Sequence, residues 1–153
     1  MKKKLIAILT LVSTLFLFKG AMAVESVAQY PIKEGRLIVY YMAWTTAAGG
    51  TLTATETSQE LNGFIVLAET DPGSTAPTDN YDITLTDEAG ADVFGGALAN
   101  RDTSTTERTM PKVNGNYSGV INRGKLTLNL SGNSVNSATG GLYIFIIPLD
   151  DTF

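Results

Sequence analysis

Tyr81-Asp-Ile-Thr-Leu-Thr-Asp-Glu-Ala-Gly-Ala-Asp-Val93 is the stretch on which the fold turns. Tyr81, Ile83 and Leu85 alternate with Asp82, Thr84 and Thr86, which is the two-residue period of a strand with one dry and one wet face. Asp87 suits the first position of a type I turn, and Gly90 can take the left-handed conformation that follows. Val93 is therefore expected to return as the partner strand.

Outward from this hairpin the same pattern repeats. Arg36 to Trp44 is apolar on both faces, which fits a central strand or one whose second face meets another subunit. Thr51 to Thr57 alternates threonine with other residues, as an exposed strand or hairpin arm does. Gly63 to Ala68, Lys125 to Leu130 and Leu142 to Ile147 are further strand-length runs, and Pro148 should mark where the last of them stops pairing. No segment reads as a helix, a repeat or a domain linker. The spacing predicts an all-β chain: one antiparallel β-sandwich, jelly-roll or immunoglobulin-like, over residues 36–153. Val24 to Gly35 is left as an N-terminal arm able to add a strand to a neighbour's sheet edge.

Residues 1–23 read as a secretory signal peptide. Lys2, Lys3 and Lys4 form a positive start, Leu5 to Phe18 is uncharged and mostly apolar, and Ala21-Met22-Ala23 ends on small residues, which places cleavage between Ala23 and Val24. The apolar run holds 14 residues, against about 20 for a membrane-spanning helix. The expected location is extracellular or periplasmic, with no membrane span after cleavage. Cleavage removes four of the 11 basic residues and leaves seven against 15 acidic ones, so the net charge moves from −4 to −8. Such a chain repels phosphate backbones and has no Lys/Arg cluster to reverse that locally, which argues against nucleic-acid and anionic-membrane partners. The remaining 130 residues are enough to bury a core without staples. They contain no cysteine, so durability must come from sheet packing or from assembly.

With no His and no Cys, the chain cannot build a Ser-His-Asp or Cys-His nucleophile, nor the usual zinc or copper site. It reads as a non-enzyme with no cofactor. Calcium is the one metal considered, through Asp87, Glu88 and Asp92 or through Asp71, Asp79 and Asp82. Neither group has the spacing of a calcium loop, and turn chemistry accounts for each Asp. Tyr40, Tyr41 and Trp44 are candidates for a sugar platform, although their place in a strong strand favours core packing. Two loops are long enough to carry an interaction: residues 71–80, stiffened by two prolines, and residues 100–118, rich in threonine. They nominate Asp71, Asp79, Asn80, Asp82, Asn100 and Arg101 as interaction residues.

The segment from Asp71 to Asp102 resembles one found in small β-sandwich structural proteins of tailed phages and prophages. There a proline-turn loop, a Tyr-Asp strand, an Asp/Gly hairpin and an Asn-Arg element follow one another in this order. The likeness extends more loosely through Ile38 to Trp44, Asn62-Gly63 and the final two strands. It implies a noncatalytic, virion-associated or assembly-forming component, a homo-oligomer or larger. Proteins of that group are made without a leader, so the export signal turns the expectation towards an extracellular particle or filament. A secreted domain that binds glycans or cell surfaces is the alternative.

Overall fold

The structure is a computed structural model that describes residues 24–149. The leader and its cleavage point after Ala23 lie outside these residues. Eleven strands run in chain order: β1 (Ser26–Glu34), β2 (Leu37–Thr45), β3 (Thr55–Glu56), β4 (Gly63–Pro72), β5 (Asp82–Thr86), β6 (Glu107–Thr109), β7 (Lys112–Val113), β8 (Asn116–Tyr117), β9 (Val120–Asn122), β10 (Thr127–Ser131) and β11 (Thr139–Pro148). All pairings between them are antiparallel. The large sheet runs β1-β2-β11-β4-β6, with β9 pairing the other half of the β4 edge; the small sheet runs β3-β10-β5, and β7-β8 is a separate hairpin. The chain is thus an all-β antiparallel sandwich. Among the described residues no helix is long and apolar enough to cross a membrane.

The core lies between the two sheets. Ile38, Tyr40, Met42 and Trp44 of β2, with Leu142, Ile144 and Ile146 of β11, face Ile83 and Leu85 of β5 and Leu128 of β10. The two-sided apolar character of β2 follows from its place inside the large sheet, with β1 on one side and β11 on the other.

Two stretches behave differently from the reading of the sequence. The first is the segment of residues 24–35: most of it forms β1, which turns at Gly35-Arg36 and pairs in register with the whole of β2. Its side chains also reach the small sheet's border. The Glu25 carboxylate accepts from Thr53 N (2.8 Å) and Thr53 Oγ1 (2.5 Å). Gln29 Oε1 accepts from Tyr40 Oη (2.6 Å) and Ser58 N (2.7 Å), and its Nε2 donates to the Glu56 carbonyl (2.9 Å). The arm is used within its own chain. The second is the return of the 81–93 hairpin. Its turn forms as expected, with Gly90 N donating to Asp87 O and Val93 N to Leu85 O. Beyond a single bridge between Thr86 and Asp92, however, no return strand develops. Residues 93–98 coil instead, burying Val93, Phe94, Ala97 and Leu98 under the core edge. The consecutive positive φ angles of Gly95 and Gly96 permit this coil and exclude a regular strand.

Candidate interaction face

The face of the large sheet turned away from the core can be read row by row from the pairing register. Ser26, Thr45 and Thr139 form one row; Ala28, Ala43, Gly141 and Asp71 the next; Tyr30, Tyr41, Tyr143, Glu69 and Arg108 the third. Ile32, Val39, Phe145 and Leu67 form the fourth, and Ile147, Phe64 and Ile121 run across β11, β4 and β9 beyond it. A bulge in β4 sets the last rows. Phe145 pairs Leu67 and Ile146 pairs Ile65, so Val66 is the extra residue, and Leu67 and Phe64 come to the same outer face although they are three apart.

The tyrosine row divides this face. The Tyr41 and Tyr143 rings stack with centroids 4.2 Å apart, and Tyr30 stacks on Tyr41 at 6.3 Å. On one side of the row the surface is mostly apolar, with the exposed Glu34 opposite Leu37 at its margin: Tyr30, Ile32, Phe64, Ile147 and Ile121 are between 37% and 59% exposed. Strand spacing and rise give this half, tyrosines included, an extent of about 20 Å by 15–20 Å, near the limit of what a monomer normally leaves bare. On the other side lies a shallow groove of about 300 Å³, floored by Ala28, Ala43 and Gly141, walled by Tyr41 and rimmed by Asp71, Ser26, Thr45 and Thr139. The Tyr41 ring leans across Gly141: a Cβ there would sit 2.8 Å from Tyr41 Cε2. Burial raises the Tyr143 phenol above its ordinary pKa, with further contributions from Tyr41 and from the Asp71 and Glu69 carboxylates. Phenols and carboxylates therefore converge at the groove's edge.

The residues nominated from the two loops divide in role. Asp71 ends β4 on the outer face, where its Oδ1 accepts the Thr106 hydroxyl at 2.8 Å, so the two nominated loops do meet. Asp79 and Asn80 are exposed, with Asn80 at φ +61° donating to Asp79 Oδ2. Asp82, Asn100 and Arg101 are tied inward. Asp82 Oδ1 accepts Asn100 N (2.8 Å), Arg101 N donates to Tyr81 O (2.7 Å), and the Arg101 guanidinium holds the Ala99 carbonyl and lies 3.5 Å from Glu107. These three fix the path of the chain.

Asp87, Glu88 and Asp92, one of the two groups considered for calcium, are occupied by backbone amides. Asp87 Oδ1 accepts from Ala89 N and Ala91 N, Asp92 from Phe94 N and Gly96 N, and Glu88 Oε1 from Lys125 N. Among the described residues no group of three or more acidic side chains is placed to hold a metal ion. Of the three aromatic candidates, Tyr40 and Trp44 are core, and Tyr41 alone faces outward into the tyrosine row. The sequence offered no signal for Tyr143 and Gly141 as its partners, because β2 and β11 are about a hundred residues apart. No protein-family model, curated protein or solved structure matches this chain.

Proposed function

We propose that this chain is an exported, noncatalytic structural module that associates with further copies of itself through the apolar half of the large sheet's outer face, building an extracellular or virion-like particle or filament. The observation that carries the reading is the pair of apolar rows through Ile32-Val39-Phe145-Leu67 and Ile147-Phe64-Ile121. Once the leader is removed the chain carries a net charge of −8 and repels its copies over most of its surface, so a predominantly apolar patch with one carboxylate, Glu34, at its margin is where two of them can meet. Sheets pack face to face at about 10 Å through interdigitating side chains, and branched and aromatic residues such as these suit that contact. Export rests on the leader at residues 1–23, and the noncatalytic reading on a chain without His or Cys.

The test is sedimentation equilibrium combined with electron microscopy of the purified chain. Concentration-dependent association is expected, and Ile121→Glu should weaken it at least tenfold while leaving unfolding within about 0.5 kcal/mol of the parent, because the side chain is exposed. A chain that stays monomeric at millimolar concentration and forms no particle or filament would overturn the reading. Sequencing the N-terminus of secreted material tests the export component separately, with a start at Val24 expected.

A further inference from the structure

The groove on the other side of the tyrosine row differs in chemistry from the apolar half, and its shape selects a class of ligand. Its floor is apolar because Ala28, Ala43 and Gly141 offer only methyl groups and backbone CH. Its space exists for the same reason: these small residues sit beside a row that carries Tyr30, Tyr41 and Tyr143. Its rim is made of hydroxyls and one carboxylate, and no Lys or Arg is among the lining residues. The volume, about 300 Å³, is at the lower end for small-ligand sites, or about ten waters' worth of liquid.

From this geometry we infer that the groove binds a neutral glycan, with a pyranose ring lying on the Ala43-Gly141 floor against Tyr41 and its hydroxyls meeting Asp71 and the Thr45 and Ser26 hydroxyls. A pyranose has an apolar C–H face and a periphery of hydroxyls, the same distribution as floor and rim. Competing chemistries fit less well. A phosphate or uronic acid would face Asp71 with no cation in the lining to offset it, since the nearby Arg108 is engaged by Glu69. A metal ion would need more carboxylates than Asp71 alone. A peptide could not add as a strand across the floor, since β2 and β11 are each paired on both sides along this stretch. Asp71 is suited to its part: one carboxylate oxygen is held by the Thr106 hydroxyl, which fixes the group at the rim and leaves the other to accept from a diol.

The experiment is a methyl NMR titration of the purified chain with maltotriose, cellotriose, mannotriose and N-acetylchitotriose, with sialyllactose as the acidic probe. Saturable shifts of the Ala28 and Ala43 methyls are expected with at least one neutral probe and not with sialyllactose. Asp71→Ala should weaken that binding at least tenfold, and Ala43→Leu, which fills the floor, should abolish it. Asp71 is exposed, so its variant keeps the test valid even if the leucine disturbs the sheet. Ile121→Glu should leave the sugar shifts unchanged whatever it does to self-association, so this inference and the assembly reading fail separately. No saturable shift with any of the four sugars, shifts that survive both groove substitutions, or equal binding of sialyllactose would each overturn the proposal.

Discussion

Tyr40 and Tyr81 show how differently two buried phenols can contribute. The Tyr40 hydroxyl donates to Gln29 Oε1 at 2.6 Å and lies 2.7 Å from Ser58 Oγ and 2.9 Å from Ser58 N. The Tyr81 hydroxyl, like Trp44 Nε1 on the ring that meets it edge-on at 5.8 Å, has no hydrogen-bond partner among the described residues. Removing a paired hydroxyl loses its bond and strands its partners, whereas removing an unpaired one relieves a desolvation penalty. Tyr40→Phe should therefore cost about 1–3 kcal/mol and Tyr81→Phe should be neutral or stabilising, both read by urea unfolding. Burial, opposed by Arg101, also pushes the Tyr81 phenol up to about 12 from an unfolded value of 10.0. A raised pKa means the folded state keeps its proton longer. This contribution is whole below pH 10 and drains away as pH rises through about 12. Phenolate absorbance should show a late-ionising tyrosine whose titration coincides with unfolding, and Tyr81→Phe should remove both. Glycine matters at one further position: a Cβ on Gly140 would lie 2.2 Å from Trp44 Cζ2, so Gly140→Ala should destabilise by about 1–3 kcal/mol through overpacking.

Among the elements, β1 is the one held most by side chains reaching out of its own sheet. Gln29 alone joins it to Tyr40, Ser58 and Glu56. Gln29→Ala should accelerate amide exchange across β1 and lower stability by about 1–3 kcal/mol, while exchange in β4 and β11 changes only as far as global stability does. The 100–107 loop has an acid-sensitive tie of its own. Asp102 accepts from Ser104 N, Ser104 Oγ and Thr105 N, and these bonds hold its carboxyl down at about 2 from 3.8. A depressed pKa contributes above its unfolded value, so this tie should persist to about pH 4 and be lost as pH falls towards 2, read as exchange at Ser104 and Thr105. The elements also show where sequence patterns were enough. β2, β4 and β11 were legible from continuous apolar runs that demand burial, and β5 and β10 from the alternation of apolar with polar residues. β1 was not, because Pro31 interrupts it and Lys33, Glu34 and Gly35 follow, so the segment reads as an arm; Pro is tolerated there because β1 is an edge strand. The missing return of the hairpin was equally hidden, since Gly95-Gly96 reads as another turn until Phe94 and Leu98 are seen buried around it.

At the scale of the whole molecule, the candidate face was illegible for a reason of distance. Tyr30, Tyr41, Tyr143 and Glu69 meet only through pairings that join residues as far apart as 41 and 143, and no local period encodes such a row. What could be read was the lack of His and Cys and the surplus of acid, which narrowed the chemistry without locating a surface. The same long-range pairing governs how the chain closes. β11 lies between β2 and β4 and is bonded to both, although it is the last strand in sequence among the described residues. A chain ending before Thr139 should therefore lack near-ultraviolet circular dichroism and cooperative unfolding, and the complete chain should refold over milliseconds to seconds, as non-local β-topologies do. The order of synthesis gives this arrangement a further meaning. Until the segment around Phe145 has left the ribosome, the β1-β2 pair and the β4-β6-β9 group have nothing to join them, so the large sheet cannot close before β11 is made. On the proposed export route, a channel that passes the chain as a thread would deliver β11, the strand that joins the two halves of the large sheet, after every other described strand.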